Sequence, residues 1–215
     1  MTTGWSGAAK KKKAAQARSR DRNADPGPAP SRDVLHEAAL AYLARGSATA
    51  ATLGRVLDRK VSTWARKAAR AARDPEAVAT DVSGCKESIE AIITRFREVG
   101  LVDDAKYAES RARSLSRAGR SRRAISAHLA AKGVDAEITR QALPNDAGVE
   151  LAAALAFAKK RRIGPYAREA TVEREAKQKA IAAMARAGFD YRTCDRALRM
   201  DREEADERLH EHLRY

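Results

Sequence analysis

Six arginines, Arg111, Arg113, Arg117, Arg120, Arg122 and Arg123, fall within thirteen consecutive residues that contain no acid. Guanidinium groups at this density suit a row of anions, and a phosphate backbone is the commonest such row. Two further clusters repeat the theme. Lys159, Lys160, Arg161 and Arg162 are contiguous, and Arg66, Lys67, Arg70 and Arg73 close a stretch in which seven Lys/Arg from Arg55 onward meet one acid, Asp58. Phosphate contacts position a protein without identifying bases. With aromatic residues at only 5% of the chain, a base-stacking platform has few side chains to draw on. The alternative is three unconnected, solvated faces.

Catalytic chemistry has little to work with. No phosphate-binding Gly-x-x-x-x-Gly-Lys loop, no His-Glu-x-x-His and no nucleophile elbow occurs. The histidines are His36, His128, His210 and His212, the last two beside Glu211 in a charged C-terminal segment. The pair Asp103-Asp104 suggests a Mg²⁺ ligand set, but helix capping explains it with fewer assumptions. No enzyme, cofactor or metal is expected.

The formal charge is +14. Residues 1–33 hold eight Lys/Arg against three Asp, and residues 201–215 hold three Arg against six Asp/Glu, which leaves +12 between them. A folded region this basic points to a polyanionic partner. Cys85 and Cys194 lie far apart without metal-ligating neighbours and read as buried thiols of a reducing compartment. No apolar run approaches membrane-spanning length, and the Lys10–Lys13 run is followed by alanines, arginines and serine instead of an apolar signal core. The expectation is a cytoplasmic monomer without membrane attachment.

Helices must present these cations, because no window shows the period-2 alternation of a strand. Their main signal is a phrase used three times: Phe96-x-x-x-Gly100-Leu101-x-Asp103, Leu129-x-x-x-Gly133-Val134-Asp135 and Met184-x-x-x-Gly188-Phe189-Asp190. A left-handed glycine ends one helix. The apolar residues at C3 and C″ touch, with Leu101, Val134 and Phe189 in the second role, and the aspartate opens the next helix. One device used three times implies a tandem repeat. A glycine-containing helix-turn-helix that reads DNA also fits the local pattern, but such readers use one recognition helix per subunit.

Along the chain, residues 1–32 read as a disordered basic tail rich in Ala and Pro. A first helix follows Ser31 or Asp33 with Val34, Leu35, Ala38 and Tyr42, ending at Gly46. A second starts near Thr49 with Leu53, Val56 and Leu57, and Val61, Trp64 and Ala68 extend its apolar side. Asp74-Pro75 interrupts, and Ser83-Gly84 is expected to cap the helix carrying Ile89, Ile92, Ile93 and Phe96. Helices with Tyr107 and Ala112, then Ile125 and Leu129, then Ile138 and Leu143 follow, the last stopped by Pro144. A third set carries Leu151 and Leu155, then Ile181 and Met184, then Cys194 and Leu198. The expected organisation is all-α: repeat 1 over 33–102, repeat 2 over 103–144, repeat 3 over 145–200 and a charged extension over 201–215. Alanine dominates the inward positions, so the three-helix repeats must stack on their neighbours, in an elongated, curved array. The basic clusters then share one side.

The run Gly100-Leu101-Val102-Asp103-Asp104-Ala105-Lys106-Tyr107-Ala108-Glu109 with Arg111, Arg113 and Ser114 resembles the central signature of the RecX family of regulatory proteins. Gly119-Arg120-Ser121-Arg122-Arg123-Ala124-Ile125 and Leu129-x-x-Lys132-Gly133-Val134 continue it. Ala38-x-x-x-Tyr42-Leu43, Lys177-Gln178-Lys179 and Arg186-x-Gly188-Phe189 extend it over about residues 33–200. The resemblance implies a bacterial protein that binds the RecA recombinase in the groove of its DNA filament and lowers ATP turnover, strand exchange and co-protease action. The three basic clusters, with Lys177 and Lys179, would approach the filament and the phosphates of single- and double-stranded DNA. Asp104 is expected as a cap and Tyr107 in the core. The first repeat departs from the family pattern, with no glycine turn after Arg59-Lys60 and an insertion through Arg73. A helical DNA-binding protein acting on the duplex directly is the competing reading.

Overall fold

A computed structural model describes residues 24–143, 145–167 and 174–214. The Lys10–Lys13 run and the stop expected at Pro144 lie outside the described residues. Among those described there are ten α-helices, one short 3₁₀ turn and no strand. The chain divides into two compact units after Val102.

The first unit holds α1 (Arg32–Leu43), α2 (Ala50–Arg70) and α3 (Pro75–Glu98). Each helix starts where a side-chain oxygen accepts from an otherwise orphaned first-turn N–H. Ser31 accepts from Val34 (3.3 Å), Thr49 from Thr52 (3.0 Å) and Asp74 from Ala77 (3.3 Å), with Pro75 at the first helical position. Leu35, Leu53, Leu57, Ile92 and Phe96 form a core that Val61, Trp64 and Ala68 continue along α2. The expected cap at Ser83-Gly84 is not formed, and α3 runs through it. Gly84 is exposed, and one exposed glycine costs about 1 kcal/mol, too little to break a helix held by Cys85, Ile89, Ile92 and Phe96.

The insertion proves to be a lengthening of α2. It stops at Ala72, which adopts the left-handed conformation (φ 56°) while Ala72 and Arg73 donate back to the carbonyls of Ala69 and Ala68. The glycine stop missing after Arg59-Lys60 is thus present thirteen residues later, with alanine in the glycine's place. The longer helix also fastens part of the expected tail. Trp64 Nε1 donates to the Gly27 carbonyl (3.0 Å), Arg73 pairs with Asp25 (2.7 Å) and the Cys85 thiol donates to the Pro30 carbonyl (3.4 Å). Residues 25–30 therefore pack on the first unit and are not free chain.

The second unit holds α4 (Asp104–Arg117), α5 (Arg122–Ala131), α6 (Ala136–Ala142), α7 (Ala147–Arg161), the turn Gly164–Tyr166, α8 (Arg174–Arg186), α9 (Tyr191–Arg199) and α10 (Arg202–Arg214). After α5 and α8 the expected stop is seen in full. Val134 donates to the Leu129 carbonyl and Phe189 to that of Met184, with Gly133 and Gly188 left-handed between them. After α3 the apolar partner shifts by one: Val102 donates to the Phe96 carbonyl and is buried, while Leu101, expected in that role, is 53% exposed. In all three copies the buried residue directly precedes the capping aspartate. The buried position is thus counted from the aspartate and not from the glycine. Asp103, Asp135 and Asp190 accept from Lys106, Glu137 and Thr193 at 2.9, 2.7 and 2.9 Å. Asp104, expected as a cap, is instead the first residue of α4, where a negative charge favours the positive end of the helix dipole. Tyr107 packs against the core as expected.

Two cores fill this unit. One gathers Ala108, Ala112, Ile125, Leu129, Val134 and Leu143, and the other Leu151, Leu155, Met184, Phe189, Cys194 and Ala197. The charged extension joins the second core through Ala205 and Leu209 of α10. The two cores are bound by close backbone approach. A Cβ on Gly119 (φ 79°) would stand 2.7 Å from the Phe157 nitrogen, and one on Gly188 (φ 95°) would stand 2.6 Å from Ser121 Oγ. Ser121 Oγ donates to the Ala187 carbonyl (2.7 Å), and Lys160 Nζ to the Ala118 carbonyl (2.7 Å).

Gly119→Ala should therefore combine left-handed strain with overpacking and cost roughly 2–4 kcal/mol in denaturant unfolding. Gly100→Ala, where a Cβ meets nothing within 4 Å, should cost only about 1–2 kcal/mol; equal losses would contradict the close approach. Ala72→Gly relieves the same backbone strain, and a rise in unfolding midpoint is expected; a fall would contradict the left-handed assignment.

Candidate functional site

Exposed cations are the chemistry this chain offers, and the fold decides which of them remain available. On α2 the buried residues Leu53, Leu57, Val61, Trp64 and Ala68 recur every three or four positions. At 100° per residue the opposite side of the helix carries Arg55, Arg59, Arg66 and Arg70, an exposed row about 22 Å long. Among the described residues no acid lies within ion-pair distance of Arg59, Arg66, Lys67 or Arg70. Lys67 projects about a quarter-turn from the row, and Arg73 turns away to Asp25. Arg66 and Arg70 were anticipated from their clustering. Arg55 and Arg59 were not, because their alignment appears only once the helix is known to run unbroken.

In the second unit the acid-free run divides. Arg111 and Arg113 are two positions apart on α4 and so point about 200° apart. Arg111 Nε donates to His128 Nε2 (3.4 Å). Burial lowers the His128 pKa first, and the charges of Arg111, Lys132 and Arg120 lower it further, so the imidazole stays neutral among cations. Arg113 lies 3.9 Å from Glu109, and with Arg117 it lines a smaller cleft of about 380 Å³ beside Ser116 and His212. Arg122 is committed internally, its backbone N–H to Glu150 (2.9 Å) and its Nε to the Leu143 carbonyl (3.0 Å).

The third-repeat cluster is also largely committed. Lys159 pairs with Asp206 (2.8 Å), which accepts as well from the Tyr166 hydroxyl (3.1 Å). Lys160 closes the carbonyl end of α4, Arg161 lies over the Phe157 ring at 5.6 Å, and Arg162 occupies a left-handed position. Lys177 pairs with Asp195 and Lys179 with Glu175. These contacts hold the unit together; they do not gather the lysines on one face.

Arg123 does meet other cations. It enters a cleft of about 730 Å³ together with Arg140 of α6 and Arg192 and Arg196 of α9. The three arginines of α6 and α9 were missed because only tertiary packing brings them near α5. The i,i+4 spacing of Arg192 and Arg196 was the one available signal. Three acids share the walls, each satisfied by main-chain N–H groups: Asp146 by Gly148 and Val149, Asp190 by Thr193, and Glu150 by Arg122. Both thiols are buried, and burial raises their pKa, that of Cys194 to about 11, so neither is a nucleophile at neutral pH. Among the described residues no group of three His, Cys, Asp or Glu could hold a metal ion. None of their helices is long and apolar enough to cross a membrane.

The model of the RecX second three-helix domain matches residues 103–143. The regulatory protein RecX of Myxococcus xanthus is 36% identical over 160 residues, 73% of this chain and 80% of that protein. RecX of Agrobacterium fabrum is 38% identical over 122 residues, 56% of this chain and 64% of that protein. RecX of Thermobifida fusca is 49% identical over a shorter stretch of 59 residues, 26% of this chain and 31% of that protein. No solved structure matches significantly.

Glu150 supplies a check on the cleft. Burial raises its carboxyl pKa, and Asp190 adds to this against the Arg122 N–H. The folded state then holds the proton more tightly than the unfolded state, so this group's contribution to stability falls as pH rises through the ordinary carboxylate range and above it. Glu150→Gln should raise the melting temperature more at pH 7.5 than at pH 4; an equal change at both would refute the buried carboxylate.

Proposed function

The chain belongs to the RecX family, and on that premise we propose that it regulates a RecA-type recombinase by lying in the groove of the recombinase–DNA filament. The supporting observation is the family match over residues 103–143, joined to similarity with a RecX protein over most of both chains. Bound there, the helical units would bridge neighbouring filament subunits and resist the motions that accompany ATP turnover. The occupied groove would exclude a second duplex and a repressor substrate, lowering strand exchange and co-protease action. The protein itself transforms nothing in this scheme, which needs no cofactor, and works as a cytoplasmic monomer.

The exposed arginines supply the phosphate contacts. Arg59, Arg66 and Arg70 of α2, with Arg117, Arg120 and Arg123 of the second unit, are exposed and have no acid within ion-pair distance among the described residues. Each phosphate neutralised contributes close to one unit of slope in log K against log salt. The α2 row also favours a second reading, direct binding to duplex DNA, since it needs no recombinase.

ATP hydrolysis by the recombinase on single-stranded DNA should fall severalfold at saturating protein, and the protein should co-sediment with assembled filaments. Unchanged turnover, with tight binding to naked duplex at physiological salt, would replace this reading with the second. Converting Arg59, Arg66 and Arg70 to Ala should weaken filament association and lower the salt slope by about 2–3; an unaltered slope would leave those arginines as solvated surface.

A further inference from the structure

The cleft between α5, α6, α7 and α9 is an arginine-lined cavity that the phosphate-tracking scheme does not use. Arg123, Arg192 and Arg196 line it, and among the described residues none of the three has an acid within ion-pair distance. Arg140 lines it as well, paired with Glu137 of its own helix. The acids present, Asp146, Glu150 and Asp190, are held by main-chain donors, so the three guanidinium groups remain for a ligand. At about 730 Å³ the space falls in the usual range for ligand clefts, roughly 300–1,000 Å³.

Three features decide what kind of anion fits. First, the leucines of the lining, Leu143 and Leu151, are buried in the two cores, so recognition falls to the charged groups at the surface of the cleft. Second, no aromatic side chain lines it among the described residues, so nucleotide bases find nothing to stack on. Third, the three carboxylates are interspersed with the arginines. A uniform row of phosphates would meet like charge at each of them, whereas a peptide can space its carboxylates to meet the arginines and place neutral groups beside the acids. The planar guanidinium fork also matches a carboxylate in two hydrogen bonds. Residues 1–23 of this chain cannot be the occupant, since they carry seven Lys/Arg against one Asp.

We propose that this cleft binds an extended, acidic segment of a partner protein, its carboxylates paired with Arg123, Arg192 and Arg196. The site is separate from the α2 row and does not depend on the partner being a recombinase. It makes the second unit a peptide-docking module as well as a polyanion surface.

The test uses the full chain in fluorescence anisotropy with two labelled probes, a peptide alternating Glu with Leu and a single-stranded oligothymidylate. The intact protein should bind the peptide, and a Gln-for-Glu version should not compete. Arg192→Ala with Arg196→Ala should weaken peptide binding at least about tenfold while leaving the oligothymidylate affinity unchanged, and the single variant Arg123→Ala should act in the same direction. Arg66→Ala with Arg70→Ala should do the reverse. All three arginines of the cleft are exposed, so a melting curve like that of the intact chain is expected. Absence of peptide binding by the intact chain overturns the proposal. So does equal loss of both probes in the Arg192/Arg196 variant, which would make the cleft a nucleic-acid surface. A failed recombinase assay bears only on the filament reading and leaves this outcome standing.

Discussion

The close approach of two glycine turns to neighbouring chain is the constraint on which the second unit depends. At Gly119 the end of α4 touches the backbone of α7, and at Gly188 the end of α8 touches the start of α5. Gly119 lies between the first and second helices of one three-helix group and Gly188 between the second and third of the next, so the groups meet at two separate points. Neither group has a large core of its own, because many of the inward positions are alanine. Gly119 meets backbone and Gly188 meets the Ser121 hydroxyl and the Arg123 Cβ, and contacts this close let so little apolar volume hold a fixed shape. The cleft between α5, α6, α7 and α9 is a product of that fixing. Its walls come from both groups, and its arginines meet only because Gly188 seats α9 against the entry of α5.

Charge is distributed according to this frame. Lys160 donates to a carbonyl at the end of α4, where a cation meets the negative end of the helix dipole. Arg122 ties the start of α5 to the end of α6 and to Glu150 of α7. Lys159, Asp206 and Tyr166 join α10 to the turn after α7. Exposed pairs of this kind contribute about 0–1 kcal/mol each, so their role is to fix which side chains are withdrawn from the surface. The 43 Lys and Arg of the chain therefore overstate the cations open to a partner. Among the described residues, Arg59, Arg66 and Arg70 on the outer side of α2 and Arg123, Arg192 and Arg196 in the cleft have no acid within ion-pair distance.

Most helix starts and stops were legible because each rests on residues adjacent in sequence. Asp103, Asp135 and Asp190 cap the helices that follow them, and Gly133 and Gly188 carry the bonds a left-handed stop requires. The expectations that failed lacked such a local cause. Ala72 takes a glycine's conformation because Trp64, Ala68 and the 25–30 segment reward a longer α2. Leu101 yields its place to Val102, which directly precedes the capping Asp103 as Val134 and Phe189 precede theirs. The arginine run from 111 to 123 looked like one surface only because chain adjacency hides a rotation of 100° per residue. Arg140, Arg192 and Arg196 belong to the site through tertiary packing alone, which periodicity cannot report.

The two cationic surfaces differ in physical character, and that difference bears on what each can do. The α2 row is convex and exposed. Its charges are screened over about 8–10 Å at ordinary salt, so it acts mainly on encounter rate and orientation, with little selectivity among polyanions. The cleft arginines are exposed too, but they stand among acids already held by backbone donors, so a misplaced anion meets repulsion as well as attraction. Discrimination of this kind needs both terms. On the two proposals above, rate and selectivity reside in different units of the same chain: an unbroken helix supplies the first, and glycine-fixed packing supplies the second.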